Sequence, residues 1–329
     1  MLNTDQPEIR FALEMAEAAC RIGKRVQAEM NVEGIEKSDL SPVTVADYAI
    51  QAYVGRRLRE QFPDHRLVGE ESAEALRTDD SAEARRLVCE AVRREIPEAD
   101  EAAVCDWIDY GAAEATGAYW TIDPIDGTKG YLRGDQYAAA LAFLRDGEVL
   151  LGALGCPNLD SACRACTGDG AILVAARGEG AYARPLSGGA LQRIACSKQS
   201  DPSQARLLRS VEKGHTNLSD TDLIAQALGV IADPVPMDSQ AKYAVLAAGG
   251  GEMLLRLLSP KMPDYKEKIW DQAAGAIVLE EAGGRITDLS GRPLDFSQGR
   301  TLANNAGVFA SNGILHDAGL AAIAKVCGE

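Results

Sequence analysis

Two apolar runs, residues 137–144 and 149–154, flank Arg145-Asp-Gly-Glu148, and this arrangement constrains the fold more than any other stretch of the chain. Asp-Gly between such runs marks a tight hairpin turn, because the glycine takes up the positive φ that the turn needs. Strand signals at 66–68 and 120–123 precede the hairpin, and 171–176 with 180–184 make a second hairpin-like pair. Helical spacing comes earlier. Residues 7–30 put Phe11, Met15, Ala18, Ala19, Ile22 and Val26 on one side, and residues 46–62 turn Ile50, Val54 and Leu58 inward before Pro63 stops them. The first half therefore reads as an antiparallel sheet with helices packed on it.

From Leu191 the order changes. A strand at 206–211, a helix at 220–228, a short extended piece at 230–235, a helix at 240–248 and a strand at 253–258 alternate in the manner of an α/β unit. The Pro/Gly/Ser cluster at 185–189 has linker composition and divides the chain into an N-terminal α+β domain, 1–186, and a C-terminal α/β domain, 187–329.

With 329 residues, 46% of them hydrophobic, the chain can bury a sizeable core. Its formal charge of −15 argues against nucleic-acid duplexes and anionic membranes as partners, since those attract basic surfaces. Much of the acid lies between Glu70 and Glu114, where a helix around 81–95 carries Leu87, Val88 and Val92 on one side. No apolar run approaches the ~18 residues of a membrane span, the N-terminus carries no apolar signal core, and the eight cysteines lack framework spacing. Together these features predict a cytoplasmic protein with reduced thiols. Cys163 and Cys166 form one close pair, but no second pair or nearby histidine completes a zinc set.

The chemistry concentrates in 120–134, Trp-Thr-Ile-Asp-Pro-Ile-Asp-Gly-Thr-Lys-Gly-Tyr-Leu-Arg-Gly. Pro124 blocks helical continuation and biases Asp123 toward extended backbone, so the chain is expected to turn there. In such a bend Asp123 and Asp126 can face one centre, with the Ile125 carbonyl freed as a third oxygen. An all-oxygen set suits Mg²⁺ or Mn²⁺ better than zinc. Gly127-Thr128 opening a helix would aim free amides at an anion. An ordinary acidic turn fits the same residues. Glu70 and Glu71, at a strand exit, can equally form a charged loop, and Asp271, Asp47 or Thr44 a helix cap.

The combination and its order decide between these readings. Gly69-Glu-Glu71, Asp123-Pro-Ile-Asp-Gly-Thr128, and Trp270-Asp-Gln-Ala-Ala-Gly275 followed by Glu281-Ala-Gly-Gly284 resemble the inositol monophosphatase superfamily of Mg²⁺-dependent, Li⁺-sensitive phosphatases, over nearly the whole chain. Five further segments resemble its 3′(2′),5′-bisphosphate nucleotidase branch: Ser41-Pro-Val-Thr-Val-Ala-Asp47, the stretch from Lys129 to Tyr137, Val211-Glu-Lys-Gly-His215, Asp238-Ser-Gln-Ala-Lys-Tyr243 and Tyr265-Lys-Glu-Lys-Ile-Trp-Asp271.

This resemblance implies a five-layer αβαβα sandwich of the inositol monophosphatase and fructose-1,6-bisphosphatase type, with the active site between its halves. It implies that Glu70, Asp123, Asp126, Asp271 and the Ile125 carbonyl hold two or three Mg²⁺ ions. Asp47 and Thr128 would orient and deprotonate the attacking water, while Gly127 and Thr128 hold phosphate oxygens. His215, Ser239, Lys242 and Arg256 would bind the nucleotide, although Arg256, in a strand of leucines, could instead serve only to pair with Glu252 or another acid. The implied reaction removes the 3′-phosphate of 3′-phosphoadenosine 5′-phosphate, giving AMP and phosphate. Inositol phosphates and fructose 1,6-bisphosphate are the alternative substrates. A non-enzymatic nucleotide sensor is the alternative of another kind, and it would be expected to lack Asp47, Thr128 or a metal carboxylate, all of which are present.

Overall fold

The computed structural model describes residues 2–32, 42–210 and 218–327. Helices α1 (Pro7–Val32) and α2 (Pro42–Gln61) come first. Strand β1 (Arg66–Gly69), helices α3 (Ala82–Arg93) and α4 (Glu101–Asp109) and strand β2 (Ala118–Asp126) follow. A short helix α5 (Thr128–Arg133) leads to β3 (Ala138–Arg145), β4 (Glu148–Cys156), β5 (Ala171–Ala176), β6 (Gly180–Pro185) and β7 (Gln192–Arg193). Strands β1 to β7 form one sheet in chain order, parallel between β1 and β2 and antiparallel thereafter. Asp146 and Gly147, with φ of 52° and 82°, make the β3–β4 turn, as the Asp-Gly pair predicts.

The rest of the chain builds a second sheet. Its elements are β8 (Leu207–Arg209), α6 (Leu218–Ala227), β9 (Val235–Pro236), α7 (Ala241–Ala247), β10 (Met253–Arg256), α8 (Ala273–Glu281), β11 (Arg285–Thr287), β12 (Val308–Ser311) and α9 (His316–Cys327). The strand order is β11-β12-β10-β8-β9, with β10, β8 and β9 mutually parallel and β12 antiparallel to both its neighbours.

Side-chain alternation sets the layers, because successive residues of a strand point to opposite faces. Along β3, Ala139, Leu141 and Phe143 join a core with Phe11, Ile22 and Ile50 of α1 and α2, whereas Ala138, Ala140, Ala142 and Leu144 join Tyr243, Ala274 and Ile277 of α7 and α8. That second core also takes Leu208, Leu254 and Ala310 from the second sheet. The sheet's other face packs Leu207, Met253 and Phe309 against Ile224 of α6 and Ile323 of α9. Helix, sheet, helix, sheet, helix is the five-layer sandwich that was expected. Its middle layer is thin because small residues line it. A Cβ on Gly152 of β4 would stand 2.5 Å from the Ile277 Cγ2 methyl, so α8 can lie this close only over a glycine.

Three local expectations change. Helix α2 begins at Pro42, a position where the missing N–H costs nothing, so Asp47 sits inside the helix and does not cap it. Strand β2 does not turn at Pro124 but continues to Asp126, with a bulge between Asp123 and Asp126 against Ala140 and Ala138. A proline survives there because a bulge removes the need for a ladder donor. Of residues 230–235 only Val235 enters a strand. Helix α4, which the sequence reading leaves unassigned, is capped by Asp100 accepting from the Ala103 amide at 2.8 Å. Cys163 and Cys166 are both free thiols. Among the described residues no helix is long and apolar enough to cross a membrane.

Candidate active site

A cavity of about 370 Å³ opens where the end of β2 meets the segments that enter α7 and α8. Its wall brings together Glu70, Asp123, Ile125, Asp126 and Asp271, then Gly127 and Thr128, then Ser239, Lys242 and Arg256. These come from both sheets and from the helical layer between them. Asp47 does not line the cavity. It lies buried behind it, its carboxyl accepting the Ile125 amide. His215 lies outside the described residues.

Local backbone geometry explains the convergence. The β2 bulge aims Asp123, Ile125 and Asp126 into the cavity within four residues of chain. Gly127 follows with φ 92°, and a Cβ there would stand 2.8 Å from Ser239 Cβ, so α5 can begin against the α7 turn only with glycine at this point. Ser239 is itself left-handed at φ 68°, with its Oγ accepting the Ala241 amide at 3.1 Å.

Buried amides and one arginine hold the loops together. Gln51 of α2 takes the Glu71 amide on Oε1 at 3.0 Å and donates to the Glu71 and Ile108 carbonyls at 2.7 and 2.9 Å, which fixes the Glu70 loop. Gln240 donates its backbone N–H to Asp126 Oδ2 at 2.6 Å, its side-chain amide to the Trp270 carbonyl at 3.0 Å, and accepts the Gly275 amide at 3.1 Å. Arg300 donates to the Gly69 carbonyl and lies 4.9 Å over the Trp270 ring. The segments bearing Glu70, Asp126 and Asp271 are therefore tied to one another by side chains that do not themselves line the cavity.

The electrostatics are unfavourable for four separate anions. Burial pushes the Asp123 carboxyl well above its ordinary range, and Glu70, Asp126 and Asp271 add to the shift. Burial likewise raises Asp126 and Asp271, each moderated by Arg256. Asp47 is raised by burial and then by Glu71 and Glu70. Lys242 lines the same cavity, and burial with the nearby Arg256 charge brings its ammonium down to about 8. Among the described residues Asp123 Oδ1 is buried with no hydrogen-bond partner. A buried carboxylate oxygen without a donor costs free energy that a hard cation offsets, and the surrounding donors are all oxygen. The residues present therefore fit divalent cations of the Mg²⁺ type. They ring the cavity without forming a ready-made cage, since no three His, Cys, Asp or Glu side chains among the described residues cluster tightly enough for one.

Arg256 does not pair with Glu252, which instead binds Arg206 at 2.8 Å. Arg256 pairs with Glu267 at 2.7 Å and, more loosely, with Asp271 at 3.8 Å. No sequence pattern announces Gln51 or Arg300. Gln240 and Glu267 do fall inside motifs quoted above, but nothing in their spacing shows what they bind.

The sequence matches the Inositol monophosphatase family over residues 5–326. It is 41% identical to a 3′(2′),5′-bisphosphate nucleotidase of Emericella nidulans over 96% of this chain and 97% of that protein. A protein of the same description from Oryza sativa is also 41% identical, over 93% and 90%, and one from Dictyostelium discoideum is 38% identical over 93% of each. Among solved structures, an inositol monophosphatase from Anabaena (Nostoc) sp. PCC 7120 superposes over 98% of both chains with a TM-score of 0.62 at 22% identity. Mycobacterium tuberculosis SuhB superposes over 97% of this chain and 96% of its own with a TM-score of 0.63 at 21% identity. These two show the likeness of fold.

Proposed function

The chain belongs to the inositol monophosphatase family, among its 3′(2′),5′-bisphosphate nucleotidases, and from that membership we propose that it hydrolyses the 3′-phosphate of 3′-phosphoadenosine 5′-phosphate to AMP and phosphate. The observation that carries the substrate is the composition of one cavity, in which a carboxylate set suited to divalent cations shares the wall with a buried Lys242 and a half-buried Arg256. A nucleotide with two phosphates needs both: cations at the phosphate that leaves, fixed positive side chains at the one that stays.

Glu70, Asp123, Asp126, Asp271 and the Ile125 carbonyl would hold two or three Mg²⁺ ions. When bound, these neutralise the phosphate and the charge that develops on both the attacking and leaving oxygens. Asp47, buried off the cavity wall with its carboxyl on the Ile125 amide, would be the terminal proton acceptor when ionised. The Thr128 hydroxyl, on the cavity wall, passes the water's proton toward it. The Gly127 and Thr128 amides at the start of α5 hold phosphate oxygens. Ser239, Lys242 and Arg256 hold the second phosphate and the ribose, and His215 contributes a polar face to the nucleotide.

The test is phosphate release from 3′-phosphoadenosine 5′-phosphate, inositol 1-phosphate and fructose 1,6-bisphosphate with Mg²⁺ present. Preference for the nucleotide, and a loss of at least about a hundredfold in Asp126→Asn with the fold intact, are expected. Near-normal turnover in that variant, or no release from the nucleotide, would refute the assignment.

A further inference from the structure

We propose that Glu267 is a positioning residue that tunes the cavity toward the phosphate that is not cleaved, by locking Arg256 into the cavity wall before substrate arrives. The inference rests on the nucleotidase reading and adds to it a residue that touches no substrate.

Arg256 is the last residue of β10 and lines the cavity. Glu267 grips its guanidinium side-on, Oε1 accepting from Nε at 3.1 Å and Oε2 lying 2.7 Å from Nη2. That grip leaves the Nη1 edge uncommitted to Glu267, so the fork can meet an anion with its remaining N–H groups. Glu267 is itself held. Its Oε2 accepts from Gln272 Nε2 at 2.9 Å, and its carbonyl accepts the Leu302 amide at 2.9 Å. Gln272 Oε1 in turn accepts the Tyr243 hydroxyl proton at 2.6 Å. Glu267, Gln272 and Tyr243 are all buried, and none of them lines the cavity.

The direction of this chain is forced by donor chemistry. An ionised Glu267 can only accept, so Gln272 must present its NH₂ to it. The Gln272 oxygen then faces Tyr243, whose hydroxyl must donate. Each group has one orientation available, and the last of them fixes the arginine. A long flexible side chain that is already ordered loses less freedom on binding, and a planar fork in a set orientation discriminates by geometry as well as by charge.

The experiment is calorimetric binding of AMP, which carries the retained phosphate, and of inorganic phosphate, which mimics the released one, with Mg²⁺ present. Glu267→Gln keeps the shape but loses the charge-assisted grip. It is expected to weaken AMP by about tenfold or more and inorganic phosphate by no more than about twofold. Tyr243→Phe removes only the distant hydroxyl and is expected to weaken AMP by about two- to fivefold, again sparing phosphate. It decides the matter if Glu267→Gln does not fold. Unchanged AMP affinity, or equal weakening of both ligands, overturns the positioning role. A wild-type protein that binds phosphate but not AMP would instead overturn the nucleotide reading, a result obtained before any variant is made.

Discussion

Gly275→Ala is expected to destabilise the protein, against the intrinsic preference of a helix. Gly275 lies inside α8, where alanine is favoured over glycine by about 1 kcal/mol. The new Cβ would stand 2.3, 2.6 and 3.0 Å from Cδ2, Cγ and Cε2 of Tyr243. That ring is 1% exposed and its hydroxyl is bound to Gln272, so it has nowhere to swing. Helices α7 and α8 must separate. Overpacking of this kind costs about 1–3 kcal/mol, and loosening the Gly275–Gln240 or Tyr243–Gln272 hydrogen bond costs about 1 kcal/mol more. After subtracting the propensity gain, a net loss of roughly 1–3 kcal/mol remains, or a fall of a few degrees in the thermal midpoint for a chain of this size. Differential scanning fluorimetry measures it. The decisive comparison repeats the substitution on a Tyr243→Ala background, where the ring is gone and the sign should reverse to a gain of about 1 kcal/mol. A stabilising Gly275→Ala in the wild-type chain, or the same loss in both backgrounds, would refute the packing argument.

Two further expectations concern charge. His316 is buried between Thr287 Oγ1 at 3.0 Å and Ser311 Oγ at 2.9 Å, and burial lowers its pKa to about 4. The unfolded chain protonates near pH 6.5 while the folded one stays neutral, so stability should fall by up to about 3 kcal/mol as pH drops from 6.5 toward 4. In His316→Gln, compared with wild type by urea titration across that range, this component of the slope should vanish; an unaltered difference between pH 7 and pH 4.5 would count against it. Asp123→Asn removes one ionisable carboxyl from a buried set of acids and is expected to stabilise the protein in chelator by about 1–3 kcal/mol, while abolishing the stabilisation expected from Mg²⁺ in wild type. Retention of a full Mg²⁺ shift in this variant would contradict the metal role.

Legibility in the sequence followed the range of the interactions. The apolar face of α1 and the Asp146-Gly147 turn depend on neighbours a few residues away, and the chain displays both directly. The passage of β2 through Pro124 does not: the proline's local preference for a turn is overridden because β3 pairs with both Asp123 and Asp126 and leaves the extra residue bulged between them. Strands β11 and β12 are three and four residues long, too short to carry a period, and exist because β10 supplies an edge for β12 and β12 in turn supplies one for β11. The candidate site divides the same way. Its carboxylates are marked by motifs, but Gln51, Arg300 and the partner of Arg256 become meaningful only when residues far apart in the chain are brought together.

What those remote residues share bears on how a cluster of carboxylates is held in place. A cation could pin each acidic loop directly, but a fixed lysine or arginine there would compete for the same oxygens with any divalent cation that the proposed site takes up. Neutral amides do the holding. Gln51 binds the Glu71 backbone, Gln240 offers Asp126 a main-chain N–H, and Gln272 reaches Glu267. Where an arginine is used, much of its bonding lies elsewhere: Arg300 donates to carbonyls and covers the Trp270 face, and Arg256 is gripped by Glu267 at 2.7 Å although it also reaches Asp271 at 3.8 Å. The loops are therefore held largely by neutral groups, and Arg256, which moderates Asp126 and Asp271, offsets only part of the shift that burial imposes on them. Lys242 also lines the cavity and moderates Asp126, but burial and Arg256 lower its own pKa to about 8, so it is the weaker counterweight of the two.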